Sequence, residues 1–80
     1  MKRSDFDNLI QQTNVVFDEC QKKFYEADRK YRECNTDYDR AAKQLVKDIH
    51  FHRQDAAFCA LNALTTARDI LNHLGYIEED

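Results

Sequence analysis

From Phe6 onward, apolar or small side chains recur at steps of three and four. One row reads Ile10, Phe17, Phe24 and Tyr31; the other reads Phe6, Thr13, Cys20, Ala27 and Cys34. Residues three and four apart are neighbours on a helix surface, so both rows share one face. The first row is bulky and largely aromatic, whereas the second is small from Thr13 onward. Small residues along a seam let another backbone approach closely while large side chains fill the space between. Glu19, Lys22, Glu26, Arg29 and Glu33 take the remaining positions, the pattern of a solvated outer face.

A second periodic stretch is denser. "AAFCALNALTTARDILNHL", residues 56 to 74, sets apolar residues around well over half of a helix. Such a helix has to be covered from more than one side, and a single partner helix does not do that.

Between the two stretches lies "ECNTDYDRAA". Cys34 ends the first repeat, Asn35 tolerates the left-handed conformation that follows many helices, and Thr36 is a favoured N-cap. Asp37 and Asp39 then occupy a first turn, where carboxylates interact well with the helix dipole. "SDFD" at Ser4–Asp7 mirrors "TDYD" at Thr36–Asp39, so the chain carries two helix-start signatures. One continuous rod is the competing reading, because the heptad phase runs on through Tyr38, Ala41 and Leu45. The capping chemistry favours a reversal.

The expectation is therefore an all-α antiparallel helical hairpin forming a single domain over residues 1–80. Helix 1 covers about 4–34, the turn 35–36 and helix 2 about 37–74, followed by an acidic, frayed tail at 75–80. Gly75, the only glycine, stands where a C-terminal cap residue belongs, with Tyr76 placed to pack back on Leu71. "HFHRQD" at 50–55 dilutes the apolar pattern; a break there gives three helices instead.

The surplus apolar surface points to a homodimer with four helices, since a two-fold axis buries the same patch twice. Leu9, Val16, Phe58, Leu61, Leu64 and Leu71 are its expected interface. Nearer the turn, Lys23 and Lys30 replace Leu9 and Val16, and the stripe narrows. Residues 21–47 carry eight Lys/Arg against five Asp/Glu, a net of +3, while 1–20 carry −2 and 48–80 carry −4. The turn half thus reads as a positive arm, with Tyr25 on its outside.

Composition narrows the class further. In 80 residues, 42% hydrophobic and 34% charged with no Pro, there is material for one thin helical domain completed by association. A net charge of −3 argues against general binding to nucleic acid or anionic membranes. No apolar run approaches the roughly 20 residues needed to span a bilayer, and "MKRSDFDN" has no signal-like apolar core. Three cysteines without CxxC spacing fit reduced thiols in the cytoplasm.

Candidate chemistry is sparse. A turn at 35–36 pairs residues whose numbers total about 71, setting Cys20 opposite His52, with Asp48, Asp55 and Cys59 on the same helix face as His52. These are zinc-ligand types, but their spacing matches no dense motif, and a hydrogen-bonded histidine among small core cysteines explains them as well. Nucleophilic catalysis by Cys20 and His52 lacks a cleft and an oxyanion site. No enzyme activity, metal, cofactor or small-molecule substrate is expected. The expected function is protein binding by a small homodimeric regulator or adaptor acting through helix–helix contacts. The alternative is an RNA-binding regulator in which Lys22, Lys23, Tyr25, Arg29, Lys30 and Arg32 contact phosphates and bases.

Overall fold

A computed structural model of the chain, described over residues 2–78, is a two-helix antiparallel hairpin. Helix α1 spans Arg3–Arg32 and α2 spans Asp37–His73. The chain reverses through residues 33–36, which rules out the continuous rod. Helix α2 passes through residues 50–55 without interruption, so the three-helix alternative does not hold either.

Thr36 caps α2 as its chemistry dictates: its side-chain oxygen accepts from the Asp39 amide at 3.1 Å. The reversal needs no left-handed residue at Asn35, because Gly75 alone among the described residues has positive φ. Instead α1 ends two residues sooner than its heptad phase suggests, with the Glu33 and Cys34 amides donating back to the carbonyls of Arg29 and Tyr31.

At the other end, Gly75 at φ 82° closes α2. Its amide donates to the Asn72 carbonyl and that of Tyr76 to the Leu71 carbonyl, the paired bonds of a Schellman cap. Tyr76 itself remains exposed. The following residues are not a frayed tail: Ile77 is buried, Glu78 bridges to Lys2, and the Glu78 carbonyl accepts from the Arg3 amide at 3.0 Å. That contact supplies a partner for a first-turn donor of α1. Helix α1 therefore starts at Arg3, and Ser4 lies inside the first turn rather than at the cap. Residues 79 and 80 of the expected tail lie outside the described residues.

Across the hairpin, Phe17 meets Phe58, Phe24 meets Phe51, Asp28 meets Lys47 and Asp7 meets Arg68. Each pair of residue numbers totals 75, not 71. Two causes contribute to the offset. Side chains on both helices lean toward their own N-termini, which moves meeting partners away from the turn. The first turn of α2 also overhangs, leaving Asp37 and Tyr38 fully or almost fully exposed.

The resulting molecule is a thin rod, 58 × 17 × 12 Å. Its radius of gyration is 17.8 Å, against about 12 Å for a compact domain of this length. Only Phe6, Cys20, Ala27, Ala57 and Ile77 are buried among the described residues, and none is a large side chain sealed off completely. No helix among the described residues is long and apolar enough to cross a membrane.

Candidate functional site

The seam determines which surfaces remain free. On α1 it is built from the two sequence rows, with Phe6, Cys20 and Ala27 buried and Ile10, Thr13, Phe17, Phe24 and Tyr31 half-buried. On α2 the seam rows are Lys47, Gln54, Leu61 and Arg68, and His50, Ala57, Leu64 and Leu71. Ala57 is buried and the others are half-buried. Half of this α2 seam is polar.

Those polar seam residues differ in how they are satisfied. Lys47 Nζ reaches Asp28 at 2.9 Å and lies 4.7 Å from the Tyr31 ring centroid. Hydrogen bonding from Lys47, helped by the charges of Lys47 and Arg32, holds the Asp28 carboxyl below its ordinary 3.8. Arg68 bonds Asp7 at 3.2 Å. By contrast, His50 Nδ1 and Gln54 Oε1 are shielded from solvent and find no hydrogen-bond partner among the described residues.

Because α2 commits so many seam positions to polar groups, its apolar residues end up elsewhere. On one side of the hairpin Phe51 and Phe58 lean over Phe24 and Phe17, with ring centroids 5.7 and 5.8 Å apart. Phe17, Phe51, Gln54, Asp55 and Phe58 line an open cleft of about 240 Å³ there, and both Phe51 and Phe58 keep about half their surface exposed. Tyr25 extends this aromatic side through Phe24, at 5.9 Å between centroids.

The opposite side begins at Lys23, Lys30 and Val46, which share a shallow depression with Ala27 and His50. Leu9 and Val16 lie one heptad step apart on the same strip of α1 and are exposed. Beyond Val46, on the outward surface of α2, stand Leu45, Ile49, Ala56, Ala60, Ala63, Ile70 and Leu74, all exposed. Leu45 is 66% exposed, Ile49 58%, Ile70 54% and Leu74 60%, so nothing within the hairpin covers this face.

The residues expected at a dimer interface therefore fall in three places. Leu9 and Val16 border the aliphatic face and Phe58 lies on the aromatic side. Leu61, Leu64 and Leu71 are half-buried in the seam between α1 and α2. Sequence reasoning missed Leu45, Ile49, Ile70 and Leu74 as one outward row. Their steps of four and seven residues were a usable signal.

On the positive arm, Glu26 pairs with Lys30 at 3.3 Å, Asp28 with Arg32 at 3.2 Å and Glu33 with Arg29 at 3.4 Å. Lys22, Lys23 and Lys43 make no ion pair among the described residues. Lys23 and Lys30 lie on the aliphatic side, whereas Lys22, Arg29 and Arg32 stand three, four and seven residues from Tyr25 on its own face of α1, so the expected cations are divided between two surfaces.

The Cys–His–Asp grouping is not assembled. Cys20 is buried in the seam, level with residue 55 by the observed pairing, while His52, Asp48, Asp55 and Cys59 are exposed along the outside of α2. The four-residue shift in register separates Cys20 from His52. Among the described residues, no three His, Cys, Asp or Glu side chains gather closely enough to hold a metal ion.

Comparison with protein-family models, curated proteins and solved structures finds no match.

Proposed function

We propose that the chain is a non-enzymatic protein-binding module, a small cytoplasmic regulator or adaptor that acts through helix–helix contacts as a homodimer. The observation that carries this reading is the uncovered apolar surface of α2. An 80-residue chain with five buried residues among those described exposes thirteen large hydrophobic side chains. Its accessible surface is 6038 Å², against roughly 5,000 Å² for a compact monomer of this mass. Continuous apolar surface on a stable protein marks an interaction site, and a straight helical face suits another helix.

The RNA alternative gains less support. Of its five expected cationic contacts, three are already paired on the arm: Arg29 with Glu33, Lys30 with Glu26 and Arg32 with Asp28. Intrahelical pairs of this kind describe a solvated exterior.

Light scattering tests the reading directly. The expected mass is twice the 9.5 kDa of the chain at micromolar concentration, and protein captured from host lysate should stay bound as salt rises. A monomer that retains no protein overturns it. RNA held at low salt and released steeply with added salt replaces it, because phosphate contacts release counterions.

A further inference from the structure

The outward row of α2 has an internal symmetry. Leu45 and Leu74, Ile49 and Ile70, and Ala56 and Ala63 are equidistant from a point between Cys59 and Ala60. Large aliphatic residues stand at both ends and small ones fill most of the middle; His52, on the same row between Ile49 and Ala56, has the half-buried Ala67 as its counterpart and is the one departure from the symmetry. Every residue of the three pairs is exposed in the hairpin. A pattern that reads alike in both chain directions is complementary to a copy of itself turned end for end.

We infer that this face takes a second copy of the chain in antiparallel register, with the two-fold axis passing beside Cys59 and Ala60. The inference rests on the homodimeric reading above and specifies its geometry. Ile49 then meets the Ile70 position of the other copy, Leu45 meets Leu74, and Ala56 meets Ala63. The alanines bring the two α2 backbones close at the centre, and the aliphatic ends seal the contact. The α1 helices lie outside, and the Phe17–Phe51–Phe58 cleft on the aromatic side stays open.

Area and charge both favour this occupant. Leu45, Val46, Ile49, Ile70 and Leu74, with the alanines and the bordering Leu9 and Val16, expose on the order of 800 Å², the share one partner gives to a standard stable interface. The arm at residues 21–47 carries +3, and residues 48–80 carry −4 with three acids at 78–80. End-for-end pairing sets each arm beside the acidic end of the other copy. Parallel pairing sets two positive arms side by side, which like-charge repulsion opposes.

Disulfide trapping in the full chain reads the register. In a Cys34→Ala, Cys59→Ala background, Ile49→Cys and Ile70→Cys are made separately. Covalent dimer should form when the two proteins are mixed and oxidised, and be lost when either is oxidised alone, since a disulfide requires Cα atoms within about 7 Å. Leu45→Cys with Leu74→Cys is the independent second pair, and helix content by circular dichroism confirms that each variant folds. Cross-linking of each variant with itself means parallel pairing and overturns the inference while leaving self-association intact. So does a dimeric mass with neither pair trapped, which assigns the contact to another face. A monomeric mass for the unsubstituted chain at 100 micromolar (about 1 mg/ml) overturns both the inference and the homodimeric reading.

Discussion

Lys47 crosses the hairpin to Asp28, Nζ to Oδ1 2.9 Å, and its ammonium also faces the Tyr31 ring 4.7 Å away. A lysine in a seam position would ordinarily weaken a two-helix contact. Here its stem covers the seam while its head joins a carboxylate and an aromatic face on α1. Together with the Phe24–Phe51 contact it ties the turn half of the rod, where the inward α2 positions 47, 50 and 54 are polar.

The Asp28 carboxyl is held below 3.8 in the folded chain, chiefly by the hydrogen bond from Lys47. A depressed carboxyl contributes stability that is fully present above its unfolded value and lost as pH falls through the folded one. Lys47→Met should lower the melting temperature at neutral pH. The same variant should show a smaller further drop on acidification below pH 4 than the parent chain. Thermal melts by circular dichroism across pH 2–7 check both parts.

Gln54 points the other way. Its Oε1 is shielded and unpartnered in the seam, beside a histidine nitrogen in the same state. Gln54→Leu removes an unpaired acceptor and adds apolar contact with Phe17 and Phe58, the residues around its cleft. Stabilisation of about 1–2 kcal/mol is expected, seen as a higher midpoint in urea. An unchanged or lower midpoint contradicts the assignment of Gln54 to the seam.

These polar seam residues also explain how far the sequence could be read. The α1 rows were legible because every member is apolar or small and the outer face is charged. Thr36 and Gly75 were legible because each supplies local chemistry that few other residues offer, and the hairpin follows from them. The α2 seam was not legible. Apolar residues surround that helix, and the inward positions at 47, 50, 54 and 68 are Lys, His, Gln and Arg. Hydropathy alone therefore assigned Leu61, Leu64 and Leu71 to a dimer contact without showing that they stand half-buried along the seam with α1. Ile77 was missed for a related reason: its burial depends on a return of the chain end onto α1, which no periodicity encodes.

Gly75→Ala probes that return. No atom of the described residues lies within 4 Å of where a Cβ at Gly75 would stand, so the strain of the substitution comes from its φ of 82°. A non-glycine residue in that region costs about 1 kcal/mol. Loss of the cap should also release Ile77 and the Glu78 carbonyl. The Arg3 amide, which donates to that carbonyl, should then exchange faster with deuterium while amides in the middle of α1 change little.

Leu64 and Ala60 lie four residues apart in sequence but face different neighbours. Leu64 is half-buried against α1, whereas Ala60 is exposed on the outward row. Leu64→Asp forces a carboxylate into the seam without a partner, at a cost of about 3 kcal/mol, and the hairpin has little stability to lose with so small a core. Helix content should collapse, with unfolding evident by circular dichroism at any protein concentration. Ala60→Asp places the charge beside the proposed two-fold axis, where a dimer brings two copies of it together. The mass by light scattering should fall to 9.5 kDa while helix content at low temperature is retained. If Leu64→Asp instead gave a folded monomer, α1 would not be what covers Leu64, and the seam described above would be wrong. If Ala60→Asp remained a dimer, the outward row would not be the contact between copies.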